Sequence, residues 1–304
     1  MAEASTNPRK KPGGISALLA QGKTRLLGKI APGWVNSQID LNLFVPPKTD
    51  TREIRLPRGF EEPLLRTKDG NVQAYKTGRG PTVVFVHGWG GGTHQFFPLM
   101  RGLARIGFSS LAFDHLGHGK SDRKSAPLQQ TIATCNHVLN RVSNSNDGLI
   151  AIVGHATGCI DIANSRPVLL KDVPLFLIAP AFNYKLYFLK QLVKTGLPAD
   201  MVKQYANRFS RMYRSEFQKL ELAGRLAPYG DVTAIAHDES DQESAATDSV
   251  NFCNKYPLTR LLITKHTDHR RVINSESVWQ ELKSHLNYDD TTINFTSEII
   301  NEGR

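Results

Sequence analysis

The sequence predicts an α/β protein, with a mostly parallel central sheet, helices on both faces and one helical insertion. Three observations point there. Short, wholly apolar runs such as Thr82 to Val86 and Ile150 to Val153 recur, as strands buried on both faces require. Segments with helical spacing separate them, matching the crossovers that parallel strands need. The 304 residues, 40% hydrophobic and 22% charged, are enough to bury a sizeable core.

Taken in order, residues 1–14 combine Pro8, Arg9, Lys10, Lys11, Pro12 and two glycines and are expected to lack fixed structure. Residues 15–30 predict an amphipathic helix. Its apolar positions are Ile15, Leu18, Leu19, Leu26, Leu27 and Ile30, with Lys23, Arg25 and Lys29 between them. Such a helix either packs on its own domain or lies on a membrane surface. Pro46-Pro47 marks a linker. Leu64 to Tyr75, turning at Asp69-Gly70, predicts an antiparallel hairpin at a sheet edge.

Thr82 to Val86 predicts a buried strand, and Leu99 to Ile106 a helix stopped by Gly107. Leu111 to Asp114 is the next strand, residues 128–143 a helix, and residues 149–153 a further strand. Residues 159–171 begin as a helix and break at Pro167, and Leu175 to Ala179 is again a strand. Residues 181–229 interrupt the alternation with Phe182, Tyr184, Tyr187, Phe188, Tyr205, Phe209, Tyr213 and Phe217, and predict two or three helices forming a cap. Strands at Val232 to Ala236 and Leu261 to Thr264 and a helix at 276–287 complete the chain. This divides it into a basic arm with the amphipathic helix (1–60), a first part of the core (61–180), the cap (181–229) and a second part of the core (230–304).

The net charge of +10 is uneven. Residues 1–60 hold 10 Lys/Arg against 4 Asp/Glu, and residues 181–229 hold 9 against 3, so each carries +6 and the remainder carries −2. A solubilising bias accounts for this, and so does attraction to an anionic membrane surface or acidic ligand. No nucleic-acid-reading motif accompanies the basic residues, so no nucleic acid is expected as a partner. Cys135, Cys159 and Cys253 are too widely spaced for a metal or disulfide framework, which implies a reducing compartment. No run approaches the roughly 18 apolar residues of a spanning helix. The polar N-terminus does not read as a signal peptide. A cytoplasmic location is expected, with peripheral contact at the inner membrane surface as an option.

Four segments fall just past the carboxyl ends of predicted strands, where ligands of open α/β sheets bind. The first is His87-Gly88-Trp89-Gly90-Gly91-Gly92, a turn able to aim the Trp89 N–H into a site. The second is Asp114 to Ser121. The third is Gly154-His155-Ala156-Thr157-Gly158, a G-x-S-x-G elbow with alanine at the serine position. In that turn the Thr157 N–H, at a helix start, would be a second donor to an oxyanion. The fourth is split between His237 to Asp241 and His269-Arg270-Arg271.

In this order and at these separations the segments resemble the α/β-hydrolase superfamily over roughly residues 60–290. The His-Arg-Arg ending and the cap are similar to a bacterial esterase-like subgroup. The resemblance implies a carboxylic ester hydrolase scaffold with Ala156 at the nucleophile position, His269 at the general-base position and Asp241 as the acid that orients it. It also implies an oxyanion hole at Trp89 and Thr157, a small-molecule ester or acyl ligand, and no cofactor or metal. Asp238 is the rival acid and His266 the rival base. His87, His118 and His155 read as structural, and Cys159, beyond the elbow, as packing. Alanine at 156 implies a chain inactive as written, through either an engineered serine replacement or a natural one. The alternative is a non-catalytic small-molecule or lipid binder on the same scaffold.

Overall fold

The computed structural model describes residues 45–46, 55–194, 202–204, 206–207 and 221–287. The expected arm, the helix at 15–30 and most of the middle of the cap lie outside them. Two compact units are present. One comprises Met1–Val45 with Phe188–Arg214, and the other Pro46–Tyr187 with Ser215–Arg304. The sheet belongs to the second.

Its nine strands are β1 (Phe60–Glu61), β2 (Leu64–Thr67), β3 (Gly70–Thr77), β4 (Thr82–Val86), β5 (Ser109–Phe113), β6 (Leu149–His155), β7 (Leu175–Ile178), β8 (Thr233–Asp238) and β9 (Arg260–Thr264). They are ordered β1-β3-β5-β4-β6-β7-β8-β9, and β2 pairs with β3. From β5 to β9 every pairing is parallel, while β1, β2 and β5 all run antiparallel to β3. The hairpin expected at 64–75 is β2–β3, closed by the turn at Asp69.

The connecting helices are α1 (Phe97–Arg105), α2 (Leu128–Ser143), α3 (Gly158–Ala163), the single turn α4 (Pro167–Leu170), α5 (Tyr184–Lys194), α6 (Leu222–Leu226), α7 (Ala246–Lys255) and α8 (Glu276–His285). The break expected at Pro167 separates α3 from α4. Two elements escape the sequence reading. The two-residue β1 is too short for any period. In α7, one of the three buried positions is the polar Ser249, and the N-cap Ala245 gives no side-chain cap to mark the start.

Alternate residues of each central strand enter opposite cores. In β4, Val84 and Val86 join Cys135, Val138 and Leu139 of α2 and Ile160 and Ile162 of α3. Val83 and Phe85 join Leu99, Met100 and Leu103 of α1 and Val278 and Leu282 of α8. All five β4 residues are buried, which explains why this strand is apolar throughout. Strand β5 lies on one side of β4 and β6 on the other. The chain direction across the sheet reverses there, so a crevice opens at the carboxyl ends of β4 and β6.

Candidate active site

The elbow occupies that crevice. Strand β6 ends at His155, Ala156 adopts φ +51°, and Thr157 returns to helical angles at the start of α3. Left-handed backbone costs an alanine about 1–2 kcal/mol. Packing enforces the bend. A Cβ on Gly158 would run into the Val86 carbonyl oxygen, so α3 meets β4 at backbone distance, and one on Gly154 would crowd the Ile162 side chain. The Ala156 N–H donates to Ile178 O at 3.1 Å, tying the bend to β7. Ala156 is 1% exposed.

The loop after β4 rests on this bend, since a Cβ on Gly88 would meet Ala156 Cβ at 2.8 Å. The Trp89 N–H, expected to face a ligand, donates instead to the Thr157 hydroxyl at 2.7 Å. Behind it, buried histidines act as backbone acceptors. His87 Nε2 accepts from His115 N at 3.1 Å while its Nδ1 donates to Gly88 O at 2.8 Å, and His118 Nε2 accepts from Gly90 N at 3.1 Å. These contacts assign neutral tautomers. Burial agrees, lowering the His87 pKa and pushing that of His118 down to about 3. Asp114 joins the two glycine-rich loops. Its Oδ1 accepts from Thr93 N and Thr93 Oγ1, and its Oδ2 from Lys120 N.

The acid and the imidazole come together from β8 and β9. His269 Nδ1 donates to Asp241 Oδ2 at 2.7 Å. The same oxygen accepts from His237 Nε2 at 3.1 Å and Ser244 Oγ at 3.2 Å, while Oδ1 accepts from the N–H groups of Glu243 and Ser244 at 2.7 and 3.0 Å. Burial alone would raise the Asp241 pKa, but the hydrogen bonds from His237 and His269 outweigh it and hold the carboxyl well below its ordinary value. His237 is itself fixed by Ser249, whose Oγ lies 2.7 Å from Nδ1. The loop bearing His269 is tethered to the elbow, because His155 Nε2 donates to the His269 carbonyl at 2.8 Å. His269 Nε2 lies 4.0 Å from Glu243 Oε2.

The rivals separate by geometry. Asp238 accepts from Ser240 N, Thr264 Oγ1 and Thr267 N, so it closes the loop after β9 and does not touch an imidazole. His266 is exposed at φ +63°, whereas His269 is buried. Cys159 is fully buried beneath the elbow, and burial pushes its thiol pKa far above the ordinary range. The Thr157 hydroxyl bond and the second imidazole on Asp241 were not read from sequence. The i,i+4 spacing of His237 and Asp241 was the available signal for the latter.

An elbow between two glycines beside β4, with a buried carboxylate–imidazole pair from β8 and β9, defines an α/β-hydrolase fold. Residues 81–160 match the family model described as alpha/beta hydrolase fold. Solved structures agree at low sequence identity. The esterase Est1E from Butyrivibrio proteoclasticus with ferulic acid bound is 17% identical, with a TM-score of 0.57, covering 74% of this chain and 99% of that one. The Pyrococcus furiosus esterase Pf2001 is 16% identical, TM-score 0.60, covering 80% and 98%. An alpha-beta serine hydrolase homologue from Coxiella burnetii is 15% identical, TM-score 0.50, covering 77% and 98%. No curated protein matches the chain in sequence. The chain has the α/β-hydrolase fold. Among the described residues no helix is long and apolar enough to cross a membrane.

Proposed function

We propose that the chain is a carboxylic ester hydrolase scaffold whose acid–base pair is complete and whose nucleophile is missing, so that it holds a small ester or acyl ligand without cleaving it. The contact of His269 Nδ1 with Asp241 Oδ2, in a loop tethered to the elbow, carries this reading. With serine at 156, His269 Nε2 would take the hydroxyl proton as Oγ attacks the ester carbonyl, then return it to the departing alcohol. Water would release the acid by the same route. Ala156 has no attacking atom, and loss of the nucleophile from a triad costs about 10⁶ in turnover. The ferulic acid in the Butyrivibrio esterase supports a small carboxylic ligand at such a site.

The test is Ala156→Ser assayed on p-nitrophenyl acetate. Turnover that disappears when His269→Ala is added is the expected result. A serine variant that stays at background on a panel of short-chain aryl esters sinks the hydrolase reading. Ligand binding without conversion would then be the remaining function, read as a rise in Tm with a small acid or ester.

A further inference from the structure

Two kinds of donor hold the acid of this site. The amides of Glu243 and Ser244 and the Ser244 hydroxyl come from the loop that carries Asp241, two and three residues on. They set the carboxylate within its own loop. The Ser244 hydroxyl also reaches Ala179 O at 3.2 Å, but its single proton serves one acceptor at a time. His269 comes from a second loop, the one the acid has to aim. His237 differs from all of these. It lies on β8, an interior strand of the sheet, and pairs with Ile263 of β9. Among the described residues it is the only donor to Asp241 that a strand carries.

The His237 ring is gripped on both sides. Its side chain and that of Asp241 are fully buried. Nε2 faces Asp241 Oδ2 at 3.1 Å and Ser244 O at 3.3 Å, two oxygens that only accept, so it carries a proton. Nδ1 meets Ser249 Oγ at 2.7 Å, and Ser249 is itself fully buried on α7. Groups carried on strands and helices are placed more precisely than groups on loops. We propose that His237 is a positioning residue, a second imidazole that ties Asp241 to β8 and, through Ser249, to α7, so that the carboxylate keeps His269 in its Nδ1–H form. This rests on the acid–base pair in the reading above and adds what anchors it to the sheet. His237 acts through Asp241 and, being fully buried, touches no ligand.

Three replacements in the full chain test it. His237→Phe keeps a ring and removes the donor, His237→Gln returns an N–H near the position of Nε2, and Ser249→Ala leaves the imidazole but releases its far side. The first readout needs no turnover. Long-range ¹H–¹⁵N spectra of the protein with Ala156 in place, recorded at alkaline pH, report which nitrogen of His269 carries the proton. The parent should show Nδ1–H. His237→Phe should give a mixture with Nε2–H, Ser249→Ala a smaller shift the same way, and His237→Gln the parent form. The second readout is turnover of p-nitrophenyl acetate in an Ala156→Ser background. His237→Phe should lower kcat about 10²-fold, the cost of a small misplacement, with KM changed by less than about twofold, and His237→Gln should recover most of the loss. An Nδ1–H form unmoved in His237→Phe, or a glutamine variant no better than phenylalanine, overturns the proposal. Should His237→Phe fail to fold, an unmoved His269 in Ser249→Ala overturns it equally. If every serine variant is inactive while the His269 tautomer follows residue 237 as stated, the hydrolase reading fails and the assignment of His237 stands.

Discussion

Asp241 is the residue on which the site's protonation depends. One carboxylate oxygen receives two imidazole donors and a hydroxyl, and the other receives two amides. This fixes the proton of His269 on Nδ1 and leaves Nε2 as the basic atom. In an Ala156→Ser background, Asp241→Asn should lower kcat by about 10⁴, because an amide supports the wrong tautomer. Asp238→Asn should leave kcat within a fewfold and lower Tm instead, since its partners are loop hydroxyls and two backbone amides. Asp161 on α3 is a second buried carboxyl, 2% exposed and 2.7 Å from Thr131 Oγ1. Its Oδ2 lies 3.3 Å from His115 Nε2, yet neither ring nitrogen of His115 makes a hydrogen bond, so the contact is off axis. Burial raises the Asp161 pKa well above its ordinary value and lowers that of His115. A raised folded pKa means stability falls as pH climbs past the unfolded value of 3.8. Asp161→Asn should therefore raise Tm at pH 8 relative to the parent, with the gap narrowing toward pH 4.

At the scale of elements, the elbow depends on how closely α3 approaches β4 and β6. The two flanking glycines are not equivalent. A methyl at 158 meets backbone carbonyls of Val86 and His87, which cannot move without disturbing β4. A methyl at 154 meets the end of the Ile162 side chain first, which can rotate. Gly158→Ala should cost about 3 kcal/mol and Gly154→Ala about 1 kcal/mol, measured by urea unfolding. Both glycines were legible in the sequence because they bracket an apolar strand and a helix start. The strands were legible for a related reason. Burial on both faces removes polar residues from runs such as Thr82–Val86, which leaves a composition that needs no periodicity to be seen. Helix α7 was not, because one of its buried positions is the polar Ser249 and its N-cap, Ala245, offers no side-chain cap of the kind Ser275 gives α8. The Thr157 contact was hidden more deeply, since a side chain's partner across 68 residues depends on loop packing that local pattern does not encode.

For the molecule as a whole, the sheet's two cores and its buried histidines set the stability. Phe85 is fully buried at the centre of one core, and Phe85→Ala should cost about 3–5 kcal/mol. His118 and His155 are held neutral by burial, with pKa values pushed from 6.5 down to about 3. Below about pH 6.5 the unfolded chain takes up protons that the folded chain refuses. Stability is therefore complete above that value and falls as pH drops toward 3, by about 1.4 kcal/mol per unit for each such histidine. A Tm series from pH 7.5 to 4.5 should show this decline, and replacing His118 with Gln should flatten it.

The tether from His155 to the His269 carbonyl has a broader consequence. It runs through a ring nitrogen and the main chain, and the Asp241 loop is closed by its own amides, so none of these hydrogen bonds passes through the side chain at 156, whose Cβ packs against Gly88 in alanine and serine alike. Chemical competence is thereby uncoupled from assembly. Solubility, melting and protease-resistance screens will score the alanine and serine forms alike, and only an assay that follows bond cleavage will tell them apart.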